Sequence, residues 1–192
     1  MKARSLVPLA LLVMAGASQA AIINWVSALS PEVLGANGTG STIVTFDSNG
    51  NLLRVRAEFS GLSGLTTQAH IHCCTTTPFT GTAGIAVDSP SLDIDLNVGA
   101  GDLDQTLDMD LASSWGTAYL NSFGGNTDNA LAALLAGLNS GRAYLNIHST
   151  TFRGGEIRGF LVVPEPASYA LVAAGLLAAG ALRRKSRASA TV

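Results

Sequence analysis

The central part of the sequence predicts an all-β fold, an antiparallel Greek-key β-sandwich with one short connecting helix. Three observations carry this. Apolar and polar residues alternate with period two in several short stretches, an Asn-Gly pair separates two of them, and a single stretch shows the 3.6-residue period of a helix. Apolar stretches at both ends add an N-terminal and a C-terminal apolar helix to this core.

The elements follow in order. Residues 23–30 form a first strand. In residues 41–47 Ile43 and Thr45 alternate with Val44 and Phe46. Asn49-Gly50 comes next and reads as a two-residue hairpin turn with Gly50 at positive φ. In the return strand, residues 52–59, Leu53, Val55, Ala57 and Phe59 share one face, opposite Arg54, Arg56 and Glu58. Residues 61–67 are a loop, 68–73 a short strand, and the Thr-, Gly- and Pro-rich run 74–90 a long loop. Residues 93–96 and 102–111 alternate again. In the second of these Leu103, Leu107, Met109 and Leu111 point inward, and Asp102, Asp104, Asp108 and Asp110 outward. Residues 126–139 are the helix. Leu131, Leu134, Leu135 and Leu138 line one face, Thr127 or Asp128 caps the start and Gly141 ends it. Residues 142–148 and 155–163 close the domain as strands.

Composition narrows the function classes. The chain has 192 residues, and 12% are charged. That is about half the usual quarter, which excludes disorder driven by charge. Residues 21–163 contain five Arg, no Lys and twelve Asp or Glu, a net charge of −7. So acidic a domain is not a nucleic-acid binder, and it repels anionic polymers unless cations bridge them. It is long enough to bury about two-thirds of its unfolded surface in one core.

The two ends read as addresses. Lys2 and Arg4 precede a 12-residue apolar run, residues 6–17, and Ser18-Gln19-Ala20 supplies small residues at a cleavage site. Residues 1–20 are therefore read as a secretory signal peptide cut after Ala20. At the other end Pro164-Glu165-Pro166 leads into residues 167–182, 16 apolar or small residues apart from Ser168 and Tyr169. As a transmembrane helix this run rises about 24 Å, near the lower limit for a bilayer core. Arg183, Arg184, Lys185 and Arg187 follow and stay cytoplasmic by the positive-inside rule.

This tail closely resembles the PEP-CTERM sorting signal: a Pro-Glu-Pro box, a short hydrophobic helix and an Arg-rich end, here residues 164–187 with 188–192 as a remnant. The resemblance implies that an exosortase-type enzyme of a Gram-negative bacterium recognises Pro164, Glu165, Pro166, Arg183 and Arg184. It implies cutting near the box, after transient residence in the inner membrane, and release to the cell surface or an exopolysaccharide matrix.

The candidate chemistry lies in two short segments. His70 and His72 belong to QAHIHCC, and His148 to GRAYLNIHS; these are the chain's three histidines. Residues two apart on a strand share a face, so His70 and His72 converge, and His148 joins them if its strand is near. Neutral imidazoles are good ligands for Zn or Cu, and such binding weakens below neutral pH as they protonate. The same histidines also fit a structural role, hydrogen-bonding loops at one end of the sheet. Cys73 and Cys74 are adjacent. They read equally as a strained disulfide, as one thiolate ligand with Cys74 on the histidine face, or as an intermolecular bridge, while two free thiols are the least expected in an exported protein. Glu156 and Arg158 read as a same-face structural ion pair. The four aspartates of 102–111 read as a solvated face, since carboxylates strung along a strand make no compact Ca²⁺ site.

Three segments together resemble a CHRD domain, the module named after chordin: VTFDSNGNLLRVRAEFSGL, AHIH and GRAYLNIHSTTFRGGEIRGFL. In the last, Tyr144, Asn146, His148, Gly155, Glu156, Ile157, Arg158 and Gly159 match in order. The likeness spans residues 25–163 and implies an extracellular β-sandwich, immunoglobulin-like or similar to Cu/Zn superoxide dismutase, with no catalytic residues and a structural or binding role. A likeness to the dismutases themselves lies in His-x-His on one strand and a later histidine. The chain departs from them in lacking further histidines for a second metal. What carries over is one metal site on His70, His72 and His148, with Cys74 or water as fourth ligand, and not the enzyme activity.

Overall fold

The alternation in the first third of the chain becomes three long strands, β1 (Ile22–Pro31), β2 (Thr39–Asp47) and β3 (Leu52–Ser60), paired antiparallel. In β3 every second residue is buried, from Leu53 to Phe59, and those between are exposed, as period two requires. β4 (Thr66–His72), β5 (Ile85–Val87), β6 (Gly101–Asp108), β7 (Tyr144–Ser149) and β8 (Ile157–Phe160) complete the strands. A 3₁₀ turn at Ala112–Ser114, α1 (Thr117–Ser122) and α2 (Thr127–Asn139) lie between β6 and β7. The computed structural model describes residues 21–87 and 92–164. The expected signal peptide, the apolar helix 167–182, Glu165, Pro166, Arg183 and Arg184 lie outside the described residues.

All eight strands form one antiparallel sheet in the order β5-β4-β7-β8-β1-β2-β3-β6, curled as a half-barrel. β1 links its two wings: residues 22–29 pair with β2, and Ser30 and Pro31 pair with β8. One hydrophobic core fills the concavity. Trp25, Val44, Val55 and Leu107 come from one wing, Ile71, Leu145, Ile147 and Ile157 from the other, and α2 adds Ala130, Leu134 and Leu138.

Several local expectations are corrected. The β2–β3 turn is a four-residue loop, because Asp47 and Leu52 are the last paired residues. Asn49 N–H donates to Asp47 Oδ1 at 2.9 Å, and the left-handed position falls on Asn51 (φ 49°) instead of Gly50. The Asn51 side chain secures it by donating to Asp110 Oδ1 at 2.8 Å. Replacing Asn51 with Val is therefore expected to cost about 1–2 kcal/mol, and Gly50→Ala close to nothing, as a Cβ there meets no backbone. Equal melting shifts for the two variants would refute this assignment.

In the sixth strand, pairing stops at Asp108. Met109 is still buried, but Leu111 turns out, 54% exposed. The run 93–96 contributes a single bridge, Ile94 to Leu103, and the loop 74–90 contains β5. Asn126, not Thr127 or Asp128, caps α2, accepting from Asn129 N–H at 2.8 Å. Gly141 (φ 65°) follows its end as expected.

Candidate metal centre

β4 and β7 pair antiparallel, with His70 opposite Asn146, His72 opposite Tyr144 and Gln68 opposite His148. β7 carries the motif YLNIHS, and all six of its residues are buried. Leu145 and Ile147 face the core. Tyr144, Asn146 and His148 share the other face, which also receives His70 and His72 from β4 and Arg158 from β8. A strand buried on both faces, one of them polar, makes His148 the neighbour of His70 and His72.

The three imidazoles are 2%, 8% and 7% exposed for His70, His72 and His148. Each offers a nitrogen within 4.8 Å of the others. His70 Nδ1 and His148 Nε2 are 3.3 Å apart. Backbone carbonyls fix two of the rings: His72 Nδ1 donates to Ala83 O at 2.9 Å, and His148 Nδ1 donates to Arg153 O at 2.9 Å. Each neutral ring then carries its lone pair on Nε2, the one nitrogen it can offer to a metal. His72 Nε2 is buried and has no hydrogen-bond partner among the described residues. Burial pushes the His72 imidazole below the ordinary histidine range; the bond to the Ala83 carbonyl pulls the other way and does not offset it.

The arrangement fits a small cation. Tetrahedral ligands at about 2.0–2.1 Å from Zn stand about 3.3 Å from one another. The His70–His148 pair already has that spacing, and His72 offers a nitrogen within 4.8 Å of both.

Cys74 stands apart from this set. Cys73 and Cys74 are bonded to each other as a vicinal disulfide, and Cys74 Sγ lies 3.8 Å from Ala133 O of α2. A disulfide sulfur is not a thiolate, so Cys74 in this bonded state does not offer a thiolate beside the histidines. Pro164 is exposed just beyond β8. Glu156 and Arg158 find different partners. Arg158 pairs with Glu32 at 3.1 Å and donates to Gly81 O at 2.9 Å. Glu156, fully buried, accepts from the Ser63 and Gly64 backbone N–H groups. Among the described residues the aspartates of β6 make no compact ligand group.

The sequence reading missed the support around the histidines. Tyr144 stacks on His72 with centroids 4.9 Å apart and 2° between the planes, and its hydroxyl accepts from Ala83 N–H at 3.2 Å. Arg158 lies over the Tyr144 ring at 5.0 Å. Asn146 Nδ2 donates to Glu32 Oε2 at 2.7 Å, which ties the histidine face to the residue that follows β1. Alternation within YLNIHS places Tyr144 and Asn146 beside His148 and was the available signal.

The fold and this face define a class: an antiparallel half-barrel domain, followed directly by a terminal sorting tail, with polar aromatic side chains buried on one wing. The chain belongs to the CHRD domain family, whose profile matches residues 26–161. The PEP-CTERM protein-sorting motif matches residues 162–185. That motif marks the chain for recognition by an exosortase and for export through a membrane-anchored precursor to the cell surface. Comparison with curated proteins and with solved structures gave no match.

Proposed function

We propose that the chain is a surface-sorted, non-enzymatic binding or structural protein whose CHRD domain holds one Zn or Cu ion on His70, His72 and His148. A single observation carries the metal reading. Three buried imidazole nitrogens converge, and the Nε2 of one has no protein partner among the described residues. An orphaned buried acceptor costs about 1–3 kcal/mol, and a bound cation with a water as fourth ligand removes that cost. The ion organises the β4–β7 wing and the loops that end in Ala83 and Arg153. With a net charge of −7 over residues 21–163, an anionic exopolysaccharide would need bridging cations to bind, so a neutral polysaccharide is the better partner in a matrix. The Greek-key sandwich reading of the same chain rests on β1 serving both wings of the sheet.

The test is elemental analysis of the full chain purified from cells grown with Zn and Cu. One metal per chain, removed by chelator and restored on readdition, is expected. A metal-free chain that neither takes up either ion nor gains melting temperature with it would leave the histidines as hydrogen-bonding core residues and the protein as a plain matrix component.

The processing reading assigns residues 1–20 to the signal peptide, 21–163 to the mature domain and 164–187 to a sorting signal in a Gram-negative cell. Intact mass of the surface form is expected to fit cleavage after Ala20 and again near Pro164. Recovery of residues 167–192 on the surface form would replace sorting with a permanent membrane anchor.

A further inference from the structure

Cys73 and Cys74 directly follow β4, and their sulfurs are bonded to each other with no residue between. The two halves differ in access. Cys73 is buried in the core cluster, and Cys74 is exposed at the surface of α2. The pair also sits against the single glycine within α2: a Cβ at Gly137 would fall on both sulfur atoms. Glycine inside a helix is a poor helix former and is kept where something needs its space. Here the occupant is the bonded sulfur pair. Two separate thiols stand farther apart than a bonded pair, each with its own hydrogen and van der Waals shell, and need more room than the pair does.

We infer that Cys73–Cys74 is a thiol-exchange site for small thiols, entered at Cys74, and that its closed form seats α2 against the end of β4. An incoming thiolate attacks Cys74 Sγ. The new bond joins the reagent sulfur to Cys74, and Cys73 Sγ leaves with the electron pair and takes a proton from solvent. A second thiolate then attacks the reagent sulfur. It releases the reagent as its own disulfide, and Cys74 is left as a thiol once protonated. The protein pair gains two electrons and two protons, and two reagent thiols are oxidised. With both thiols in place the notch at Gly137 no longer fits, and α2 lifts away. The site needs no metal and stands whatever His70, His72 and His148 hold.

The experiment uses the full chain in mild detergent without denaturant. Glutathione followed by acid quench and peptide mapping is expected to show the adduct on Cys74 and a free thiol on Cys73. Dithiothreitol followed by iodoacetamide is expected to alkylate both residues, with amide hydrogen exchange in α2 at least tenfold faster after reduction. Gly137→Ala reads the notch. It is expected to speed α2 exchange in the disulfide-bonded chain and to slow it in a Cys73→Ser/Cys74→Ser background, where nothing occupies the notch in the same way. A Gly137→Ala chain that folds only in the serine background gives the same answer. An adduct on Cys73 alone, or no thiol capture until the chain unfolds, overturns the exchange site. Unchanged α2 exchange on reduction overturns its coupling to the helix.

Discussion

Chains carrying His148→Ala are expected to bind Zn or Cu at least about 100-fold more weakly than the parent chain. Loss of a group that only supports a ligand costs about 10- to 100-fold in metal affinity, so loss of a ligand lies at or beyond the upper end. His148 is the most telling of the three. Its Nε2 stands 3.3 Å from His70 Nδ1, and its ring is already set by Arg153 O, so removal takes away one edge of the site and a fixed tautomer together. The effect also appears as stability. Metal at about 100 times its Kd adds about 2.7 kcal/mol to the folded state, which in a domain of this size is a rise in Tm of about 5–10 °C. That rise is expected to vanish in His148→Ala, His70→Ala and His72→Ala. In Tyr144→Phe it is expected to persist, because the ring still stacks on His72 and only the bond from Ala83 N–H is lost. Titration of each metal-free variant against a chelator of known affinity separates lost ligation from lost packing. If all three alanine variants kept the parent affinity, the site would be refuted.

How far the site could be read from the chain depends on which contacts are local. His70 and His72 share a face through alternation alone, whatever the fold. That His148 reaches them depends on β7 lying next to β4, a pairing across 78 positions of sequence that no local period encodes. The same division runs through the fold. β3 is legible residue by residue, because one face is core and the other solvent. The sixth strand was read too far, because a turn interrupts it. Asp110 N–H donates to Asp108 Oδ1 at 2.9 Å, and Leu111 then leaves the inward phase. β5 and α1 escaped the reading because three and six residues are too few for a period to show. Those six residues are held from outside, with Tyr119 stacked on Trp115 at 5.9 Å. The cysteine pair is open among three readings in the sequence, since only the space left by Gly137, more than sixty positions later, favours the bonded one.

Glu156→Ala is expected to destabilise the folded chain by about 3 kcal/mol, a large share of the 5–15 kcal/mol that holds a typical domain together. Glu156 reads in the sequence as the same-face partner of Arg158, but the two backbone groups that bind its carboxylate lie more than ninety positions away. Its carboxylate is fully buried just before β8 and accepts from the Ser63 and Gly64 backbone N–H groups, with a further hydrogen bond to the Ser149 side chain. Alanine would strand those N–H groups where the loop before β4 crosses the loop after β7. The two loops also meet directly, through Thr150 N–H donating to Leu65 O at 2.8 Å. Burial alone would push the Glu156 carboxyl up. The bonds from Ser149, Ser63 and Gly64 outweigh it and hold the carboxyl below its ordinary value of 4.5. A carboxyl depressed in the folded state contributes stability that is fully present above the unfolded value. It is lost as pH falls below about 4.5 and through the lower folded value. The parent chain is therefore expected to lose stability across that acid window. Glu156→Gln, which keeps the shape but cannot accept at both ends, is expected to be weaker at pH 7 and flatter toward acid. Urea unfolding at pH 7 and at pH 3.5 measures both, and a variant whose loss of stability matches the parent between the two pH values would show that another group titrates there. Because the loop that Glu156 braces also presents Arg153 O to His148, the glutamine chain is expected to bind metal less tightly than the parent even at neutral pH, where its own fold persists.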